Sequence, residues 1–182
     1  MDNSRRNFIK KAGLGLAGAY IGSSLLSSCD SATQKGSGPF AQIGLQLFTL
    51  RDLLAEDPKL TLETVAKIGY THVETFGLNL ADNSFWGLPI KDLQALLNDN
   101  NLQTFSGHYD MAHYLSQEHE QKESIEKYIE TAHQLGQKYI VAPVPPMFDL
   151  NNLAPADYQY AAEQLNKAGE MAKKAGIMMG YH

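Results

Sequence analysis

Four polar side chains stand where predicted strands end or face away from their apolar neighbours: Gln46, Glu74, His108 and His182. Side chains alternate along a β-strand, so Glu74 points to the side opposite Val73. Carboxylate and imidazole groups are the types that exchange protons in general acid–base catalysis. We predict Glu74 and His108 as catalytic residues, with Gln46 and His182 as substrate-binding residues beside them.

The same alternation predicts which neighbours share the polar face. If the apolar residues pack on helices, the other face carries Gly44, Gln46 and Phe48 on the first strand, His72, Glu74 and Phe76 on the second, Thr104, Ser106 and His108 on the third, and Met178, Gly180 and His182 on the fifth.

Each candidate also has a purely structural explanation. Glu74 could cap a helix or form a salt bridge, and His108 could be a hydrogen-bonded core histidine. Gln46 could satisfy backbone groups, and His182 could be disordered at the chain end. Three of the four lie at or near the carboxyl ends of their strands, the face at which barrel enzymes place active sites. Their convergence therefore argues more than any single residue does.

Two further segments contain residue types that bind ligands. Trp86, beside Phe85, falls in the long loop after the second strand, where it could stack on a sugar ring or simply cover the top of the fold. Glu118-His119-Glu120 has the composition of a metal-ligand set but lies in a polar, charged stretch. We expect a solvated face there and keep Trp86 as a candidate substrate-binding residue.

Strands and helices that would position these residues alternate from Ala41 onward. Between the strands, apolar residues at helical spacing predict four amphipathic helices. The first helix begins at Asp57-Pro58, an N-cap followed by proline in the first turn. The predicted strands cover residues 43–50, 71–76, 103–107, 139–142 and 177–181.

A weak internal repeat indicates the fold class. The helices end at Gly69, Asn101, Gly136 and Gly176, residue types that tolerate the left-handed conformation, at intervals of 32, 35 and 40 residues. Strand–helix units of this length predict an α/β fold with parallel strands. A doubly wound sheet and a (β/α)₈ barrel both fit. A barrel needs about 250 residues, so we expect a partial barrel of four βα units and a fifth strand, within a truncated chain.

The first residues resemble an export signal. Arg5, Arg6, Lys10 and Lys11 precede an apolar, glycine-containing run over residues 13–26. The run is too short and glycine-rich for a comfortable membrane span. Ser4-Arg5-Arg6-Asn7-Phe8-Ile9-Lys10 is similar to the twin-arginine motif. We predict a signal peptide over residues 1–28, a flexible tether over 29–40 and the barrel portion over 41–182.

Cys29 is the only cysteine, so no disulfide can form within one chain. It ends Leu26-Ser27-Ser28-Cys29, which is similar to a lipobox, in which the cysteine receives the lipid. A buried or free thiol is the alternative. We expect lipidation at Cys29 and a periplasmic or cell-envelope protein that is anchored to the membrane through its N-terminal lipid.

The charge balance disfavours nucleic-acid partners. Residues 1–28 contain four of the 15 basic residues and one of the 20 acidic residues, which leaves 11 basic and 19 acidic residues and a formal net charge of −8. Nucleic-acid binding depends on neutralising phosphates, for which an acidic protein is unsuited.

Three segments carry a family resemblance: residues 43–52, Ile-Gly-Leu-Gln-Leu-Phe-Thr-Leu-Arg-Asp, then Ile68-Gly69-Tyr70 through Val73-Glu74, and Gly180-Tyr181-His182. In this order they resemble the opening strand, the second-strand signature and the start of the fifth-strand motif of one family. That family is the sugar phosphate isomerase/epimerase family of xylose isomerase-like barrels. The resemblance covers residues 43–182 and implies a xylose isomerase-like TIM barrel.

The resemblance further implies a divalent-metal enzyme (Mn, Mg, Co or Zn) that moves a proton beside a carbonyl of a small-molecule sugar, polyol or keto-sugar. Relatives take their metal ligands from the fifth to eighth strands, beyond His182, so no complete metal site is expected in this chain and the truncated chain alone is expected to be inactive. Gln46, Glu74, His108 and His182 would then be substrate-side groups. Homo-oligomers are possible.

Other functions fit the same resemblance. A lyase or hydratase acting on oxidised sugars would use the same enolate chemistry. A non-catalytic, membrane-tethered sugar-binding lipoprotein would need no proton transfer, and the metal content of the full-length gene product would separate it from an enzyme. A metal-dependent abasic-site endonuclease shares the fold, but the acidic charge and the export signal argue against it.

Overall fold

A computed structural model describes residues 42–117, 122–143 and 154–182. The predicted signal peptide, the tether with Cys29, and the Glu118-His119-Glu120 segment lie outside the described residues. Within the described residues, no helix combines the length and apolar character needed to cross a bilayer.

Eight strands and six α-helices make up the described part. The strands are β1 Gly44–Gln46, β2 His72–Thr75, β3 Leu78–Asn79, β4 Ser84–Phe85, β5 Leu88–Pro89, β6 Gln103–His108, β7 Tyr139–Ala142 and β8 Met178–Tyr181. A 3₁₀ turn covers Leu47–Leu50, and the α-helices are α1 Arg51–Glu56, α2 Pro58–Ile68, α3 Ile90–Asp99, α4 Ala112–Leu115, α5 Ile125–Leu135 and α6 Pro155–Lys174.

The main sheet is parallel and has the strand order β1-β2-β6-β7-β8. Each strand lies beside the one that precedes it along the chain in this sheet, and helices connect them. A doubly wound sheet would reverse its strand order at a switch point. Here the strand order runs in one direction across the sheet, as it does in a (β/α)₈ barrel. The predicted partial barrel of four βα units and a fifth strand is therefore confirmed.

The four predicted helices end where the sequence predicted, and α2 also begins there, whereas α1 and α4 were not predicted. Asp57 caps α2 by accepting a hydrogen bond from the backbone N–H of Leu60 at 2.9 Å. Gly69 (φ 111°) and Gly136 (φ 72°) are left-handed C-caps of α2 and α5. Asn101 (φ 54°) and Gly176 (φ 77°) have the same conformation just after α3 and α6. Each left-handed residue turns the chain from a helix into the next strand.

The first predicted strand is too long. β1 ends at Gln46, and Leu47–Leu50 forms the 3₁₀ turn. The Gln46 side chain accepts a hydrogen bond from the backbone N–H of Phe48, which caps the turn and bends the chain out of the sheet. Leu47 is fully buried, but Phe48 and Thr49 after it are both exposed, so alternation stops at this turn.

The third strand also departs from simple alternation. Val73 pairs with Thr104 but Glu74 pairs with Ser106, so Phe105 is the extra residue of a bulge. Thr104 therefore lies on the side of Val73, not with Ser106 and His108 as predicted. Phe105 is the apolar residue of this strand, for which alternation predicts packing on the helices, and this is wrong as well. Phe105 is 44% exposed and stacks on His72 at 5.0 Å between ring centroids.

Candidate functional site

Glu74 and His108 contact each other across neighbouring strands. The Nε2 atom of His108 lies 3.1 Å from Oε2 of Glu74. The contact forms because Glu74 pairs with Ser106, and His108, two residues further along β6, points to the same side of the sheet. The two side chains remain 14% and 24% exposed, His108 and Glu74 respectively. The pair is therefore held by the sheet yet open to a ligand.

The second oxygen of the Glu74 carboxylate is also occupied. The Oγ of Ser106 donates a hydrogen bond of 2.6 Å to Oε1 of Glu74. With one partner on each oxygen, the carboxylate plane is fixed relative to β6. Ser106 was placed on the same face by its alternation with His108, but its role as a partner of Glu74 was not predicted.

Gln46 extends the contact to a third strand. Its Nε2 lies 3.0 Å from Nδ1 of His108, while its Oε1 accepts the backbone N–H of Phe48. Both ring nitrogens of His108 thus have a partner, Gln46 on one side and Glu74 on the other. The imidazole is therefore held by one side chain from β1 and one from β2.

His182 lies next to His108 at the other side. The two ring centroids are 5.5 Å apart with an angle of 31° between the planes. The backbone N–H of His182 donates to the carbonyl oxygen of Ala142 at 2.9 Å, which ties the residue to the end of β7. Burial lowers the pKa of His108 below 6.5; the Glu74 carboxylate opposes this and the His182 imidazole reinforces it.

An aromatic cluster adjoins these residues at the carboxyl ends of β1 and β2. Phe76 follows Glu74 by two residues and packs on Phe48 at 5.2 Å and on Trp86 at 5.5 Å between ring centroids. Trp86 has a positive φ of 50°. Its Nε1 is buried without a hydrogen-bond partner among the described residues. The short antiparallel sheet β3-β4-β5, which the sequence did not predict, positions Trp86 beside Phe76.

A buried polar network supports β6 from the helix side. Nε2 of Gln137 donates to Oγ1 of Thr75 at 2.8 Å and to Oγ1 of Thr104 at 3.0 Å. The Tyr109 hydroxyl donates to Oε1 of Gln137 at 2.6 Å, and burial raises the pKa of Tyr109. Gln137 is only 3% exposed. A lone glutamine just after a helix C-cap carries no sequence signal for such a role.

The structure brings four of the predicted site residues, Gln46, Glu74, His108 and His182, into one cluster, and places Trp86 in the aromatic cluster beside it. Within residues 42–117, 122–143 and 154–182, no three His, Cys, Asp or Glu side chains are grouped so that they could hold a metal ion. What the cluster can do by itself is bind polar oxygens and exchange protons.

Comparison with protein families gives one match. Residues 62–182 match the model of the family described as xylose isomerase-like TIM barrel. None of the curated proteins matches the sequence.

Solved structures share the fold. A sugar phosphate isomerase/epimerase from Parabacteroides distasonis is 27% identical, with a TM-score of 0.61 over 78% of this chain and 50% of its own. A second from the same organism is 24% identical, with a TM-score of 0.59 over 78% and 54%. A xylose isomerase-like TIM barrel protein from Mycobacterium smegmatis, solved in complex with magnesium, is 15% identical, with a TM-score of 0.52 over 77% and 54%. The chain spans about half the length of these relatives.

Proposed function

The chain belongs to the xylose isomerase-like TIM barrel family, and on that premise we propose that it forms the substrate-side half of a metal-dependent sugar isomerase or epimerase. The observation that carries the proposal is the Glu74–His108 pair, held at the carboxyl ends of β2 and β6. Active sites of (β/α)₈ barrels lie at this end. Two solved relatives are described as sugar phosphate isomerases/epimerases.

The proposed reaction moves a proton beside a carbonyl of a sugar or keto-sugar. Glu74 is a carboxylate with both oxygens oriented, by Ser106 and by His108. Such a group can accept a proton from the substrate and return it, and a hydrogen bond from the adjacent imidazole would stabilise its ionised form. Glu74 and His108 therefore have the catalytic roles in this proposal, and Gln46 and His182 bind substrate oxygens or hold the pair in place.

The aromatic cluster fits the apolar side of such a substrate. Phe48 is 53% exposed and Trp86 is partly buried, so a ring-shaped ligand entering at the carboxyl ends of the strands would meet aromatic faces. Sugar rings present C–H groups that pack on aromatic side chains, while their hydroxyls need polar partners. Trp86 would thus fix the position of the sugar above Glu74.

The metal in this proposal is supported by a relative solved with magnesium. The described residues do not themselves offer a ligand set for it. A divalent ion bound elsewhere in the whole protein would polarise the substrate carbonyl.

Conversion of sugars by the full-length gene product tests the proposal. The protein is stripped of metal with a chelator, reloaded with Mn²⁺, Mg²⁺, Co²⁺ or Zn²⁺, and incubated with aldoses and ketoses. We expect at least one metal to restore formation of an isomer or epimer. Tight sugar binding with no product under any metal would contradict the enzyme and support a sugar-binding protein, and loss of water instead would support a lyase or hydratase.

We further propose that the protein is exported by the twin-arginine route and lipidated at Cys29, on the strength of Arg5-Arg6 and the Leu26–Cys29 segment. A single acyl chain gives only marginal membrane attachment, so firm anchoring requires several chains. Mass spectrometry of the membrane fraction should find a diacyl or triacyl modification on Cys29. An intact N-terminus, or an unmodified Cys29, would contradict this.

A further inference from the structure

The side-chain amide of Gln46 has a fixed orientation. Its Oε1 accepts the backbone N–H of Phe48 at the first turn after β1. A backbone N–H can only donate, so the atom that faces it must be the amide oxygen. The amide nitrogen must then point the other way, where it lies 3.0 Å from Nδ1 of His108.

This orientation determines the hydrogen-bond role of each His108 nitrogen. An amide NH₂ only donates, so Nδ1 of His108 must be the acceptor and must carry no hydrogen. The remaining ring nitrogen, Nε2, then carries the hydrogen and lies 3.1 Å from Oε2 of Glu74, a distance suited to donation. The backbone N–H of Phe48, in the turn after β1, thus dictates the protonation pattern of a side chain on β6.

We propose that Gln46 is a positioning residue that holds His108 in the neutral, Nε2-protonated tautomer and opposes its protonation. The alternative tautomer would place two donors against each other at the Gln46 contact and would leave the Glu74 carboxylate without a donor from the ring. The imidazolium ion would face the same conflict at Nδ1. His108 is therefore preset as a donor towards Glu74.

The groups around His108 act in both directions. Glu74 on β2 favours the positively charged ring, whereas Gln46 on β1 and the His182 imidazole, at the end of β8, oppose it. Ser106 on β6 is neutral and occupies the other oxygen of Glu74. Burial also disfavours the charged ring. Among these groups in the described part of the chain, only the Gln46 amide contacts Nδ1. It therefore distinguishes the two neutral tautomers at that nitrogen.

One substitution reverses the hydrogen-bond polarity at this contact. Gln46→Glu has nearly the same shape and keeps an oxygen for the Phe48 N–H, but its second oxygen accepts instead of donating. It should convert Nδ1 of His108 to a donor and place the ring between two carboxylates. Gln94→Glu is the matched control, because Gln94 is exposed and its side-chain amide donates to the carbonyl oxygen of Gln134.

The test is long-range ¹H–¹⁵N NMR of the full-length gene product labelled with ¹⁵N-histidine, without substrate, with His108 assigned by its substitution. We expect the wild type and Gln94→Glu to give the Nε2–H pattern at neutral pH. Gln46→Glu should give a doubly protonated or Nδ1–H ring and a His108 pKa raised above that of the wild type. Because no turnover is measured, this result is independent of whether the proposed reaction is correct.

Two results would overturn the proposal. One is an Nδ1–H or doubly protonated His108 in the wild type at neutral pH. The other is a His108 tautomer and a His108 pKa that are the same in Gln46→Glu as in Gln94→Glu. Near-ultraviolet circular dichroism of each variant establishes that it is folded. Gln46→Leu, which removes the donor without adding charge, provides a second variant in which the preference for Nε2–H should weaken, since only the Glu74 carboxylate then favours a hydrogen on that nitrogen.

Discussion

A Cβ atom added to Gly107 would lie 2.6 Å from Oγ1 of Thr75 and 2.9 Å from Cε2 of Tyr109. Gly107 stands between Ser106 and His108, the two residues of β6 that contact Glu74. The missing side chain lets β6 approach the buried network around Gln137, whose Oε1 would be only 3.0 Å from the added atom. Close packing behind the sheet therefore sets where the site residues in front of it lie.

Gly107→Ala should destabilise the protein. The neighbours are a buried threonine and a buried tyrosine held by hydrogen bonds, so overpacking should lower the free energy of unfolding by about 1–3 kcal/mol. Urea denaturation of the full-length gene product measures it. Gly180→Ala is the control in another strand of the same sheet, because its Cβ would lie 3.5 Å from Val141, an ordinary contact. Equal stability of the two variants would contradict the packing argument.

Stability should depend on pH through His108. Its pKa in the folded protein is below 6.5, so between that pKa and 6.5 the unfolded state binds more protons. The free energy of unfolding therefore rises with pH in this window, and this gain in stability is lost again as the pH falls through it. His108→Gln should flatten that part of the pH profile in urea denaturation, whereas His133→Gln, at an exposed position on α5, should not. If His108→Gln and the wild type had the same slope of unfolding free energy against pH in this window, His108 would not be the group responsible.

Residues 30–182 expressed alone should self-associate. β1 and β8 are the edges of the five-stranded sheet, and closure of a barrel fixes strand number, tilt and stagger together. Phe48 and Met178 are each 53% exposed. Open parallel edges and exposed apolar side chains favour association. Size-exclusion chromatography and near-ultraviolet circular dichroism should show oligomers or a molten state, and a sharp monomer peak with fixed aromatic signals would contradict this.

The parts of the fold that depend on local chemistry could be predicted from the sequence. The left-handed helix ends at Gly69, Asn101, Gly136 and Gly176 and the cap at Asp57 follow from residue type and spacing. Alternation along the strands was enough to place Glu74 and His108 on one face, because Glu74 is one residue beyond the buried Val73. Parallel pairing of neighbouring strands then brings these side chains together.

The remaining features depend on contacts between residues far apart in sequence or on a local side-chain bond. β1 stops at Gln46 because its side chain caps the next turn, although the apolar run continues to Leu50. The bulge at Phe105 depends on how β6 pairs with β2, which reverses the face assigned to Thr104. Gln137 acquires its role from Thr75 in β2, from the Thr104 side chain and the Ser106 carbonyl in β6, and from Tyr109, and no single segment predicts that.

Solvent deuterium exchange tests the proposed function most directly. The full-length gene product, loaded with the metal that supports turnover, is incubated with its sugar substrate in D₂O, and NMR follows deuterium entering at the carbon beside the carbonyl. The wild type should incorporate deuterium. Glu74→Ala and His108→Ala should each slow the exchange by about 10²-fold or more and keep the wild-type metal content, because both residues act on the substrate side. Exchange at the wild-type rate, or loss of bound metal in either variant, would contradict the proposed roles of Glu74 and His108.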